Sequence, residues 1–162
     1  MPMEYAYVRT ECGHNKKAFI DACFGTVKIG KSMEKTDKVK YWLDIAAYDL
    51  ETAEAMYKTK RWLYVAFMCH QVIEKSLKAY WNGTQDDDPP YTHNHARLAV
   101  GCGLYDEMSD EQKDFIDTIT NYNIAARYPE DKDALAHTLS PMVCRNIIDQ
   151  TRLLQKWIIS KL

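Results

Sequence analysis

Nowhere does this chain hold an uninterrupted apolar run approaching the roughly 18 residues that a membrane span needs. The N-terminus also lacks the apolar stretch of an export signal. A soluble, cytoplasmic protein is the expectation. A basic excess is missing as well: 21 Lys and Arg face 23 Asp and Glu, for a formal charge of -2. Residues 1–36 carry six basic against four acidic side chains, which leaves about -4 for the rest. Neither part has the balance of a dedicated DNA binder. The usual zinc spacings, Cys-x-x-Cys and His-x-x-x-His, are absent too. His93 and His95 with Cys69 or His70, or Cys12 and His14 with Cys23, are therefore poor metal sites, and no metal or cofactor is expected. The five cysteines (Cys12, Cys23, Cys69, Cys102, Cys144) are odd in number and scattered. That favours a reducing cytosol over a disulfide framework.

What is present is helical periodicity. Val39, Leu43, Ala46, Leu50, Ala53 and Tyr57 recur at steps of four and three, lining one face of a helix that Thr36 could cap. A second helix is expected from about Arg61 to Trp81, with Trp62, Val65, Cys69, Ile73, Ser76 and Tyr80 on one stripe. Leu63, Tyr64, Phe67 and Met68 make its other side apolar, so burial on both sides, including a subunit contact, is anticipated. Asn82-Gly83 should end it, and the acidic run to Pro89-Pro90 reads as a loop. Thr92 then opens a short helix that stops at Gly101. Ser109 and Gln112 match a capping box, starting a third long helix with Met108, Phe115, Ile119, Tyr122 and Ala126 inward. Tyr128-Pro129 stops it, and Ser140-Pro141 starts a last helix with Val143, Ile147, Leu154 and Ile158 inward. No segment between 33 and 162 alternates as a strand would. The expected fold is all-α, an antiparallel up-and-down bundle of four long helices plus a short one over residues 33–162.

Residues 1–32 differ in texture and read as an N-terminal extension of uncertain structure. Gly25-Thr26-Val27-Lys28-Ile29-Gly30-Lys31-Ser32 formally satisfies the phosphate-loop pattern. A working loop must curl its N–H groups inward and be followed by a parallel sheet. Here the intervening residues are mostly β-branched and no strand follows, so the match is not expected to bind phosphate.

Several blocks together resemble the HEPN (higher eukaryotes and prokaryotes nucleotide-binding) family, in its small stand-alone prokaryotic type. They are Tyr41-Trp42-Leu43-Asp44-Ile45-Ala46, Asp49-Leu50-Glu51-Thr52-Ala53, Cys69-His70-Gln71-Val72-Ile73-Glu74-Lys75-Ser76-Leu77-Lys78-Ala79, Thr92-His93-Asn94-His95 with Leu98, and Ala126-Arg127-Tyr128-Pro129-Glu130. The resemblance covers about residues 37–160. It implies a helical bundle, a homodimer, and a minimal nucleotidyltransferase as partner in a toxin–antitoxin-type pair. Many members are metal-independent ribonucleases with an Arg four to six residues before a His. Arg127 stands ten residues before His137, and within residues 37–160 no other Arg–His pair fits.

Candidate site residues follow from the same blocks. His70, Glu74 and Lys78 stand at i, i+4 and i+8 on one helix face. They can form a polar patch that orients an imidazole and holds a phosphate, or a packed histidine bonded to its helical neighbour. Lys75 and Lys78 can meet phosphates or stay solvated. His95 sits at the start of the short helix, where it can serve packing. Arg127 can grip a phosphate and Tyr128 stack beside it, or both can serve the helix end. His137 would be a base if its loop folded back toward Arg127. The leading reading is a HEPN-like dimeric nucleotide- or nucleic-acid-binding module. The alternatives are a metal-independent endoribonuclease toxin, with Arg127 on the phosphate and His137 or His70 as base, and a purely structural helical interaction domain.

Overall fold

The computed structural model describes residues 34–125 and 138–162, and within them every regular element is a helix. In order these are α1 (Lys35–Lys58), α2 (Trp62–Thr84), α3 (His95–Gly101), a 3-10 turn (Tyr105–Glu107), α4 (Asp110–Thr120), α5 (Tyr122–Ala125) and α6 (Pro141–Ile159). The all-α helical bundle expected from periodicity is the fold observed. The phosphate-loop match at Gly25–Ser32 and the candidates Arg127, Tyr128 and His137 lie outside the described residues.

α2 is the central helix, and α1, α3, α4, α5 and α6 all pack on it. Its all-round apolar character thus has a cause within one chain. Fourteen of its residues are buried, from Leu63 to Asn82, whereas Tyr64 stays half exposed. α1 lies antiparallel beside it because only Thr59, Lys60 and Arg61 separate the two, with Lys60 in the left-handed region at φ 59°. Ile73, Leu77, Leu98, Leu104, Ile116, Ile119, Ile148 and Ile158 fill the interior, fully buried. α1 is tied to α6 by a forked ion pair, in which Arg145 donates to both oxygens of Glu54 at 3.0 and 3.1 Å. Arg152 adds a third bond to Glu54 at 2.8 Å.

The helix ends show where local signals prevailed. Ser109 and Gln112 form the capping box, and Ser140 caps α6 by accepting from the Val143 N–H, with Pro141 following it. Other expectations are corrected. α1 begins before Thr36, after Glu34. α2 continues through Asn82-Gly83 to Thr84, because Asn82 and Thr84 bond back to the carbonyls of Lys78 and Tyr80. Asn94, not Thr92, caps α3, its side chain accepting from the Arg97 N–H. The third long helix is also shorter than expected, with α4 ending at Thr120 and Asn121 separating it from α5. Gly101 is required by packing: a Cβ there would lie 2.4 Å from the Trp81 ring.

Cys69, Cys102 and Cys144 are buried free thiols. Burial pushes Cys69 up to about 12 and Cys144 to about 11, so neither forms the reactive thiolate near neutral pH. Iodoacetamide at pH 7.5 is expected to leave the peptides carrying these three cysteines unmodified in the native protein and to label them after denaturation, as read by mass spectrometry.

Candidate functional site

The face of α2 that carries His70, Glu74 and Lys78 meets the end of α4 and the segment leading into α3. Glu74 is the hub. The residue is 4% exposed, and a charge so placed must be fully paired. Lys78, one turn on, donates to Oε1 at 2.7 Å. Oε2 faces two imidazoles, His93 Nδ1 at 2.9 Å and His70 Nε2 at 3.3 Å. Burial works to raise the Glu74 pKa, but the bonds from His70, Lys78 and His93 outweigh it and hold the carboxyl well below the usual range.

His70 is completely buried. Its Nδ1–H donates to the Ile119 carbonyl at 3.2 Å, in the last turn of α4, a carbonyl that also takes the Asn121 N–H. Nε2 is thereby aimed at Glu74. His95 stacks on it, with ring centroids 4.3 Å apart and planes tilted by 35°. The His95 Nε2–H donates to the His70 carbonyl at 3.2 Å. Its Nδ1 lies 3.1 Å from the Thr120 hydroxyl, whose single proton is directed between that nitrogen and the Ile116 carbonyl. Burial above all, and then the neighbouring His70, lower the His95 pKa to about 3, so this ring is neutral.

At the solvent side the network opens through His93, whose side chain is 48% exposed. Lys78 also reaches over the Trp42 ring, 5.3 Å from its centroid. Trp42 stands edge-on to Tyr41 at 5.7 Å. These two rings, with Lys38, Asn82, Asp88 and Pro89, line a cleft of about 290 Å³ between α1 and the loop after α2. An ion pair of Lys38 with Asp88, 2.5 Å long, crosses its rim.

The sequence candidates thus sort into groups. His70, Glu74, Lys78 and His95 come together in one connected network. Lys75 does not join them: it pairs with Asp49 of α1, and both side chains are largely buried, so it is neither solvated nor free to meet a phosphate. His70 cannot serve as the base of a ribonuclease in this arrangement, because it is buried and both ring nitrogens are engaged. His93 lacks the paired spacing of a usual metal site, and Tyr41 and Trp42 stand off the apolar stripe of their helix, legible only as part of a family-like block.

Helical layers enclosing a buried polar network beside an aromatic cleft define an all-α helical-bundle domain. The chain belongs to the HEPN domain family, whose model matches residues 39–162. No curated protein matches it. Among solved structures it is similar to TT1696 from Thermus thermophilus, with a TM-score of 0.67 and 18% identity over 80% of this chain and 100% of that one. That likeness supports the fold. Among the described residues no helix is long and apolar enough to cross a membrane.

Proposed function

We propose that this chain is a nucleotide- or nucleic-acid-binding HEPN module in which the Trp42 cleft takes a base and the neighbouring cations take a phosphate. One observation carries the reading: two aromatic rings, Tyr41 and Trp42, lie at the mouth of a cleft whose rim bears Lys38, with Lys78 against Trp42. Flat aromatic faces flanked by cations are what single-stranded nucleic acids and nucleotides bind. Tyr41 is half exposed and Tyr91 fully so. The Lys38–Asp88 pair is exposed and worth little, so a phosphate can displace Asp88 from Lys38 at small cost. The family resemblance extends the reading to a homodimer and to a nucleotidyltransferase partner of the toxin–antitoxin kind. The half-exposed Tyr64 on the central helix is where a second subunit could add to the bundle.

The test is equilibrium binding of a fluorescein-labelled RNA oligonucleotide and of a labelled ATP analogue, with mass followed by light scattering. Trp42→Ala is expected to weaken binding by ~5- to 150-fold, the worth of one stacked base. Lys38→Ala should cost less and flatten the salt dependence. The RNA should remain intact. Equal affinity in wild type and Trp42→Ala would discard the cleft. Cleavage of RNA lost in Arg127→Ala would replace the binding reading with the endoribonuclease one. A monomer, in a genome with no minimal nucleotidyltransferase encoded beside it or with one that stays unbound on co-expression, would remove the dimer and partner.

A further inference from the structure

His70, Glu74 and His93 place three ligand atoms around one point. His70 Nε2, a Glu74 carboxylate oxygen and a His93 ring nitrogen all lie within 4.8 Å of one another. Glu74 Oε2 is 3.3 Å from His70 Nε2 and 2.9 Å from His93 Nδ1. Ligands bound to zinc at 2.0–2.2 Å stand about 3.3 Å apart at tetrahedral angles. The two Glu74 edges differ from that by at most a few tenths of an ångström, and the His70–His93 edge, which lies within 4.8 Å, can close by movement of the half-exposed His93. We propose that His70, Glu74 and His93 form a binding site for a divalent transition-metal ion of the zinc type, with two imidazoles and one carboxylate as ligands.

The surroundings fit that role. A metal-bound histidine characteristically donates its second N–H to a carbonyl or carboxylate, which fixes the tautomer. His70 does so: Nδ1–H goes to the Ile119 carbonyl at 3.2 Å, leaving the Nε2 lone pair toward Glu74. Ligating carboxylates are likewise held by outer partners, and Lys78 holds Oε1 at 2.7 Å, so Oε2 is the oxygen left for an ion. The ammonium charge tempers the affinity while orienting the ligand. Without a cation, the acceptors at both ring nitrogens can be satisfied together only if His70 carries two N–H groups. A metal ion takes the place of the Nε2 proton and lets a neutral imidazole satisfy both contacts. His93, 48% exposed on its side chain, gives the entry path. Three protein ligands leave a fourth position for a solvent or ligand oxygen, the open-site pattern.

The inference stands apart from the nucleotide reading, and its test uses no nucleotide. Zinc alone is titrated into the full-length chain by calorimetry, and cobalt(II) is then used as a spectroscopic probe. The expected result is one equivalent per chain and a cobalt d–d spectrum without thiolate charge transfer. His93→Gln, a change on a loop that should leave helical circular dichroism intact, should weaken zinc by at least about tenfold. Cys12→Ser with Cys23→Ser should leave binding unchanged. Absence of stoichiometric zinc binding by wild type overturns the site. So does unchanged affinity in His93→Gln, or thiolate bands lost in the cysteine variant.

Discussion

Replacing Glu74 by Ala is expected to lower unfolding stability by ~3–5 kcal/mol, the usual cost of removing one member of a buried ion pair. Glu74 is buried at the centre of the network, and its loss leaves Lys78, His93 and His70 facing one another with no anion between them. Lys78 is only 12% exposed on its side chain, so water cannot compensate it. For a domain of this size the loss corresponds to a fall in Tm of roughly 10–20 °C. The measurement is urea unfolding of wild type, Glu74→Ala and Glu74→Leu/Lys78→Met. The apolar double variant should recover a large part of the loss, because filling the space without charge removes the desolvation cost on both sides. A Glu74→Ala variant within about 1 kcal/mol of wild type would show that the carboxylate is not the hub, since breaking a buried pair costs several times that. The pH dependence has a definite sign. The folded pKa of Glu74 lies below its ordinary value of 4.5. Its stabilisation is therefore complete above that value and is lost as pH falls below it.

How much of this could be read from the residues alone depends on the range of the interaction. Helix starts governed by neighbours three residues away or fewer, Ser109 with Gln112 and Ser140 with Pro141, are local and were legible. The i, i+4, i+8 spacing likewise placed His70, Glu74 and Lys78 on one face. What spacing cannot show is the third dimension. His93 reaches Glu74 across 19 residues of sequence and Lys75 reaches Asp49 across 26. The first adds a member to the site and the second takes a candidate out of it. The extension of α2 past Gly83 was hidden for a similar reason: side-chain bonds from Asn82 and Thr84 hold the last turn, where the glycine by itself suggested a stop. The apolar circumference of α2 correctly signalled two-sided burial. Its partners turned out to be five helices of the same chain.

Stability should also fall as pH drops from 7 toward 5, and His95 should account for close to one proton of that slope. Its ring is wholly buried against His70 and Thr120, and burial lowers its pKa from 6.5 to about 3. Unfolding exposes it and restores the ordinary value, so below pH 6.5 the unfolded chain binds a proton that the folded chain refuses. Stability therefore rises with pH between these values, is complete above about 6.5, and loses on the order of 5 kcal/mol by about pH 3. The stretch between about pH 6.5 and 5 isolates the effect, because Glu74 adds its own loss only lower down. His95→Gln keeps an amide donor for the His70 carbonyl while removing the titration. The other four histidines stay present in both proteins. Urea unfolding at pH 7, 6 and 5 should give a slope about 1.4 kcal/mol per pH unit shallower in the variant below pH 6. Parallel slopes in the two proteins would mean that His95 accepts its proton in the folded state as readily as in the unfolded one.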